Sequence, residues 1–287
     1  DYPIGGSGAI VDALVRGLKR HGGQLMLNAH VEEIVIRGGR AVGVLLQNGE
    51  EIRAKQAVVS NASVWDTLKL LPEDAVSTSW REERQATPEC NSFMHLHLGI
   101  DATDIKPDLS CHHIIVNHWD QIDAPQNVVL VSIPSLIDST LAPPKKHVIH
   151  VYTPGNEPYQ LWQGMDRKSQ EYAQQKQERA EVMWRGLERI IPDIRSRCEV
   201  KLVGTPITHE RFLRRHRGSY GPAIRAGEGL FPGPIALPGL LCCGDSTFPG
   251  IGLPAVAVSG MIAANTLAPV SKHREMLERL VISTPGN

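Results

Sequence analysis

The chain has 287 residues, of which 41% are hydrophobic and 21% charged, and 30 Lys and Arg against 31 Asp and Glu give a formal charge of -1. This length suffices for two ordinary domains or one large two-lobed domain with a buried core. The composition excludes disordered and collagenous chains, and the balanced charge argues against a nucleic-acid-binding protein. Five cysteines without regular spacing favour a reducing compartment over a disulfide framework.

The chain begins with a glycine-rich segment that predicts a turn opening a helix, with Ser7 as N-cap and Gly22-Gly23 as the end. Apolar residues recur there at helical spacing, at Ile10, Val11, Leu14, Val15 and Leu18. A dinucleotide fingerprint G-x-G-x-x-G is not met, because Val11 stands at its last position and no strand precedes it. No initiator Met or signal peptide is visible, so we expect a processed or truncated chain.

A series of short β-rich runs separated by turn residues follows this helix. They predict a strand at Leu25–Ala29, a β-meander over residues 31–54 and a return strand at Ala57–Ser60. Further on we expect a short helix at Trp65–Leu71 and an amphipathic helix within Asp166–Ile191, which Pro192 ends. Further strands are predicted at Phe93–Leu98, Ile114–Asn117, Val128–Ile133, Val148–Tyr152, Cys198–Val203 and Gly239–Cys243, with a loop region before Pro238.

Residues 246–271 carry no charge, which raises the question of a membrane span. Prolines leave only Leu253–Leu267 as continuous helix, about 22 Å long against a hydrocarbon core of ~30 Å, so a span is disfavoured. Small residues along this helix permit close approach of a backbone or a flat ligand. The glycines at 250 and 252 leave amide groups at the helix start that could bind an electron-rich oxygen. Spacing alone leaves open a buried core helix and a helix whose N-terminus faces a cofactor.

The segment from Cys243 to Gly260, CGDSTFPGIGLPAVAVSG, resembles the C-terminal FAD motif of the phytoene desaturase-type flavoproteins, which share the amine-oxidase architecture. Within them the chain is most similar to the carotenoid isomerase family. Supporting stretches in the same order include VSNASVWDT at residues 59–67, CHH at 111–113 and GTPITH at 204–209. The resemblance extends from residue 2 to about residue 268.

The resemblance implies an α/β flavoprotein fold with FAD and a hydrophobic polyene substrate. It places the backbone of Val31 at the adenine, Gly244 and Asp245 at the ribityl chain and Tyr220 at a substrate channel. The residues that it assigns to FAD are Val31, Asn61, Gly244, Asp245, Ser246, Gly250, Ile251, Gly252, Leu253, Pro254 and Ala255. It also implies peripheral attachment to a plastid or cyanobacterial membrane.

The Rossmann-like fold implied here lacks its N-terminal βαβ unit within these residues, so that segment would belong to the same or a separate chain. The expected division is residues 1–62 as part of the FAD-binding domain, 63–205 as an inserted mixed-sheet substrate domain, and 206–287 as the return to the FAD-binding domain. Ile251-Gly-Leu-Pro254 departs from the residues that the isomerases carry around that glycine, which keeps a desaturase or saturase as an alternative.

Other groups of reactive residues carry less information. His95 and His97 fall on one face of a predicted strand, but no third ligand has the spacing of a zinc motif, so no metal site is predicted. Cys242 and Cys243 point to opposite faces of a strand and are predicted to be structural thiols. The basic run at residues 211–217 fits a solvated face, anionic lipid or cofactor phosphates.

The predicted function is that of an FAD-dependent carotenoid cis–trans isomerase. In the implied chemistry, reduced flavin lowers the order of one double bond of a poly-cis polyene, which then rotates without net redox change. A carotenoid desaturase or a retinol saturase-like oxidoreductase is the enzymatic alternative. A non-catalytic structural or binding subunit derived from such an enzyme is the alternative of another class.

Overall fold

The computed structural model describes residues 2–106, 108–229, 231 and 237–279. The chain forms two compact units, each built from two segments. Unit 1 comprises Asp1–Leu27 and Cys90–Ser219, and unit 2 comprises Asn28–Glu89 and Tyr220–Asn287.

The helices are α1 (Gly6–Arg20), α2 (Val64–Leu70), α3 (Thr78–Gln85), α4 (Gln170–Glu188), α5 (Ile194–Arg197), α6 (Pro206–Leu213), α7 (Leu253–Leu267) and α8 (Val270–Arg279). The strands are β1 (Val31–Arg37), β2 (Arg40–Leu46), β3 (Glu51–Arg53), β4 (Val58–Ser60), β5 (His95–Asp101), β6 (His112–Val116), β7 (Val128–Ser132), β8 (Lys146–Tyr152), β9 (Cys198–Gly204) and β10 (Leu240–Cys242).

Unit 1 is centred on a five-stranded sheet in the order β6-β7-β8-β5-β9, and all of its pairings are antiparallel. Alternate side chains of β5 lie on opposite faces of the sheet. Leu96, Leu98 and Ile100 are buried in the core with Met183 and Leu187 of α4. The opposite face of β5 therefore carries His95 and His97.

An ion pair buried in unit 1 helps to hold α4. The Glu157 carboxylate, which is fully buried, accepts two hydrogen bonds from Arg179, at 2.9 Å and 2.7 Å, and one from Trp162 Nε1 at 2.9 Å. The hydroxyl of Ser169 accepts the amide of Tyr172 at 3.1 Å and caps the start of the helix. These contacts satisfy the buried charge and one of the free amides at the start of α4.

Unit 2 contains two small sheets. The strands β1, β2 and β3 form an antiparallel meander, whereas β10 pairs with β4 in parallel. Ile34, Ala41, Leu71, Leu237 and Leu240 form the core of this unit. The parallel pairing places the carboxyl ends of β4 and β10 at the same edge.

Several expectations from the sequence are confirmed and others are wrong. The meander, the return strand and the bounds of α7 are confirmed. Leu25–Ala29 is not a strand, because it pairs with no strand among the described residues, and its leucines are exposed. The N-cap of α1 is Gly5, with a φ of 84°, so Ser7 lies inside the helix and does not cap it.

Four helices fall where none was predicted, namely α3, α5, α6 and α8. The helix α6 begins with Pro206 after a capping box formed by Thr205 and Thr208, within the expected loop region. The helix α8 follows Pro269, which separates it from α7. Part of the expected loop region, at residues 230 and 232–236, lies outside the described residues.

The predicted domain boundaries at residues 63 and 206 differ from the boundaries of the compact units, which fall at 28, 90 and 220. Compactness does not test which residues bind substrate or cofactor, so the functional division stays a prediction.

Within the described part of the chain, no helix combines the length and the apolar character needed to cross a bilayer.

Candidate cofactor site

The candidate site lies at the carboxyl edge of the parallel pair β4 and β10 in unit 2. Cys242 and Ser60 are the last paired residues, and the Cys243 amide still donates to the Ser60 carbonyl at 3.0 Å. Asn61 follows one strand directly, and Gly244 follows the other after a single residue. Ligands of open α/β sheets bind outside the carboxyl ends of the strands, which makes this edge the expected place for a nucleotide cofactor.

Asn61 and Gly244 approach each other closely at this edge. The φ of Gly244 is 102°, and a Cβ built on it would lie 2.3 Å from Oδ1 of Asn61. Both the backbone conformation and the space therefore demand glycine here. The close approach explains why a glycine follows the strand at this point of the motif.

The helix α7 holds the loop after β10. Ser259, which is buried, accepts the Gly244 amide at 2.8 Å and donates to the carbonyl of Val256 at 2.7 Å. On the other side the Thr247 hydroxyl donates to the Gly244 carbonyl at 3.0 Å. The amide and the carbonyl of Gly244 are thus both hydrogen-bonded, and the loop is tied to the second turn of α7.

The start of α7 has no side-chain cap. Its N-cap, Gly252, has a φ of 109°, no side chain caps the helix, and Pro254 lies in the first turn. Gly252, Leu253 and Pro254 are exposed. The first amides of an α-helix have no partner within the helix, so those of Leu253 and Ala255 can donate to an external acceptor.

Gly250 is enclosed, in contrast to the helix start. Its φ is 117°, and a Cβ there would lie 2.6 Å from the ring of Phe231. Ile251, next to it, is exposed. The shape of the turn before α7 therefore depends on a residue without a side chain at position 250.

Ser246 carries the observation that points to a polar ligand. Its side chain is buried, yet Oγ has no hydrogen-bond partner among the described residues. An unsatisfied buried hydroxyl costs about 1–3 kcal/mol. Together with the free amides of α7 and the glycine edge, this hydroxyl fits the many oxygen atoms of FAD.

The thiols beside the site are held neutral. Burial and the neighbouring Cys243 raise the pKa of Cys242 to about 12, and burial raises the pKa of Cys243 as well. All five cysteines are free. Neutral thiols are poor nucleophiles at physiological pH, as expected for structural residues.

The structure brings together most of the residues that the family resemblance assigns to FAD. Asn61, Gly244, Asp245 and Ser246 share the strand edge, and residues 250–255 lead from it into α7. Val31 lies elsewhere in unit 2, as the first residue of β1, and Tyr220 is the first residue of that unit's second segment. Their roles toward a cofactor or substrate stay predictions.

Two residues at this edge were missed by the sequence reasoning. Thr247 and Ser259 fix the loop conformation through hydrogen bonds. Ser259 could have been found, because it is a polar residue in an otherwise small and apolar part of the helix sequence. A buried serine in such a helix needs a partner, which here is the Gly244 amide.

Comparison with known proteins gives a family match over residues 2–268, to the flavin containing amine oxidoreductases. Prolycopene isomerase of Daucus carota is 38% identical over 275 residues, which cover 93% of this chain and 44% of that protein. Its counterpart in Arabidopsis thaliana is 37% identical over 274 residues, covering 93% of this chain and 45% of that protein. The chain spans about half the length of the curated relatives it matches.

More distant relatives include a neurosporene-forming phytoene desaturase of Rhodobacter capsulatus, 28% identical over 289 residues, which cover 94% of this chain and 54% of that protein. Among solved structures, an oxidoreductase from Methanosarcina mazei matches with a TM-score of 0.62 at 21% identity, covering 91% of this chain and 55% of that one. This structural likeness shows a shared fold.

Proposed function

Because the chain belongs to the flavin containing amine oxidoreductase family, we propose that it is part of an FAD-dependent carotenoid cis–trans isomerase. The observation that carries this proposal is the 37–38% identity to prolycopene isomerases over 93% of the chain. The phytoene desaturases match over the same range at 27–29% identity, which supports desaturation less well. A poly-cis carotenoid is the substrate that follows from these relatives.

The residues at the strand edge, the start of α7 and the start of β1 would hold the cofactor as follows. The Asp245 carboxylate would accept hydrogen bonds from ribityl hydroxyls, and the Ser246 hydroxyl would gain the partner it lacks. The amides of Leu253 and Ala255 would stabilise negative charge at the flavin carbonyls, while the backbone of Val31 would contact the adenine. Bound reduced flavin would supply the electron density that lowers the order of a polyene double bond, with no net redox change.

A paired substitution tests the cofactor site. Ser246→Ala removes an unsatisfied hydroxyl, so the flavin-free protein should gain about 1–3 kcal/mol of stability while retaining less FAD. Thr247→Val is the matched control, because its hydroxyl is already bonded to the Gly244 carbonyl. That variant should lose about 1 kcal/mol of stability in the flavin-free protein.

Flavin content is measured by absorbance after gel filtration, and stability by urea unfolding. Unchanged flavin content in Ser246→Ala would remove this serine from the site. If Asp245→Ala also retained FAD as the parent does, the strand edge would not be the flavin site.

The reaction itself is tested with the protein expressed from its complete reading frame in bacterial cells that accumulate a poly-cis carotenoid. Isomerisation leaves the mass of the product unchanged and shifts its retention time, whereas desaturation removes hydrogens. A product of lower mass would favour the desaturase, and a saturase would add hydrogens. No conversion by a flavin-loaded protein would favour a non-catalytic binding subunit.

The cellular location follows from the same relatives, which are chloroplastic proteins. A plastid protein with a carotenoid substrate must take an apolar molecule from a membrane. The helix α1 supports such contact, because Val11, Leu14 and Leu18 share one exposed face and Lys19 and Arg20 end the helix. Co-sedimentation with anionic vesicles should weaken in Leu14→Gln and stay unchanged in the control Ala13→Gln, which places the same uncharged side chain on another exposed face of α1.

A segment with the family's βαβ unit would complete the FAD site, in the same or a separate chain. It would supply the pyrophosphate-binding glycines that these residues do not contain. Co-expression with that segment should raise flavin content, and no rise would place the pyrophosphate site elsewhere.

A further inference from the structure

Three histidines meet on the face of the unit 1 sheet that is turned away from the core. His95 and His97 are two residues apart on β5, so their side chains lie on the same face. His150 on β8 stands directly opposite His97 in the strand register. It lies 53 residues further along the chain, so sequence spacing does not reveal it.

The planes of the three imidazoles are almost parallel. Their planes deviate by 1–6°, and the ring centroids are 4.5–5.7 Å apart. One ring nitrogen from each histidine lies within 4.8 Å of the others. Nδ1 of His95 and Nε2 of His150 are 2.7 Å apart and share a hydrogen bond.

This spacing is close to that of a metal centre. Tetrahedral zinc with Zn–N bonds of about 2.0–2.1 Å holds its ligand nitrogens about 3.4 Å apart. To bind zinc, ring nitrogens that are 4.8 Å apart would have to approach by about 1.4 Å. The nitrogens of His95 and His150, which are 2.7 Å apart, would have to separate by about 0.7 Å. Both changes would have to come from rotation of the three side chains, because the strands that carry them are paired in a fixed register.

The three side chains are uncharged at neutral pH. Burial, assisted by the neighbouring imidazoles, lowers the pKa of His95 to about 2 and that of His150 to about 4, and burial lowers the pKa of His97. Neutral imidazole is the form that ligates metals. Nε2 of His95 is also buried without a hydrogen-bond partner among the described residues.

The cluster opens into a cavity of about 770 Å³ within unit 1. Lys176, Lys201, Arg167 and Arg211 line it together with the histidines, and no acidic side chain is among its described lining residues. The positive charges of these side chains disfavour a divalent metal ion bound alone and favour one that is bound together with an anion. The absence of carboxylates from the described lining also argues against Ca²⁺ or Mg²⁺, which prefer oxygen ligands.

We propose that His95, His97 and His150 form a binding site for a divalent transition metal of the zinc class, with its fourth position facing the cavity and occupied by water or an anion. Three imidazoles with one open position are a ligand set that zinc accepts. This site is separate from the strand edge of unit 2 and does not depend on the proposed reaction.

The test uses tag-free protein that has been treated with EDTA and dialysed, so that bound metal starts at zero. Calorimetric titration with Zn²⁺ should show one site per chain, and His97→Ala should weaken it by at least about tenfold. His118→Ala is the matched control, because His118 is exposed and its side chain is outside the cluster. Its affinity should equal that of the parent.

Substitution with Co²⁺ provides a second readout. The parent and His118→Ala should develop the strong visible bands of four-coordinate cobalt, and His97→Ala should not. His150→Gln should behave as His97→Ala does, and circular dichroism confirms that each variant is folded. Equal Zn²⁺ affinity in His97→Ala and the parent would overturn the proposal. So would phosphate binding in EDTA with no Zn²⁺ binding, since the cavity would then be an anion site without metal.

Discussion

Substitution of Gly244 by Ala should destabilise the carboxyl edge of the parallel pair β4 and β10. The alanine Cβ would lie 2.3 Å from Oδ1 of Asn61, whereas real Cβ contacts are hardly ever under 3.0 Å, so at least 0.7 Å of movement is required. Moving the Asn61 side chain off its rotamer costs about 0.5–1.5 kcal/mol. Holding alanine at a φ of 102° costs about 1–3 kcal/mol more. We expect a local destabilisation of about 2–4 kcal/mol.

Hydrogen exchange measured by mass spectrometry detects this change where it occurs. Peptides covering residues 58–61 and 240–244 should exchange roughly 30 to 700 times faster, since each 1.4 kcal/mol is tenfold. Gly260→Ala is the matched control on α7, because no atom lies within 4 Å of its added Cβ. That variant should gain about 0.5–1 kcal/mol, as alanine is preferred over glycine within a helix.

A double variant separates the two costs. Adding Asn61→Ala to Gly244→Ala removes the clash but not the strained backbone, so only about 0.5–1.5 kcal/mol should be recovered. If Gly244→Ala exchanged no faster than Gly260→Ala, or if Asn61→Ala recovered nothing, the close approach would not be what requires glycine at this position.

Two further predictions concern unit 1. Glu157→Gln should lower the free energy of unfolding by about 3–5 kcal/mol, because it leaves Arg179 without its buried partner. Glu199→Gln should lower it by less than about 1 kcal/mol, because the pair of Glu199 with Lys146 is exposed. Equal urea midpoints for the two variants would contradict this prediction. In EDTA the free energy of unfolding should also fall as the pH drops from 6.5 toward 4, because His95 and His150 bind protons in the unfolded chain but not in the native protein. Each histidine should lower it by about 1–2 kcal/mol by pH 5. Well above pH 6.5 both histidines are neutral in the folded and the unfolded state, so their lowered pKa values cost no stability there. His95→Gln should therefore lose less stability than the parent between pH 7 and pH 5.

The sequence was most informative where periodicity and turn residues act locally. The helix α7 was predicted at its observed bounds because prolines and glycines delimit it on both sides. The apolar run Leu25–Ala29 misled, since composition alone does not show whether a partner strand exists. Strand pairing over long distances is decided by tertiary contacts, which single-sequence patterns do not contain.

The candidate sites divide in the same way. The glycine motif and Asp245 were visible because they are contiguous in the chain. Asn61 was assigned only through the family resemblance, and its place opposite Gly244 depends on a parallel pairing between residues 60 and 242. His150 joins His95 and His97 through strand register, which spacing along the chain does not encode.

The isolated bridge between Glu89 and Pro222 bears on the order of folding. It joins the two segments of unit 2 on either side of residues 90–219, and the Ala223 amide donates to the Pro88 carbonyl at 2.8 Å beside it. Closing a flexible loop of that length is entropically costly and kinetically slow. If unit 1 folds first, residues 90–219 become compact and the two segments of unit 2 are brought closer together. The strand edge that would bind FAD would then form late in folding. Substitutions within residues 90–219 would then alter how fast the protein acquires its cofactor, even where they leave the structure of the strand edge unchanged.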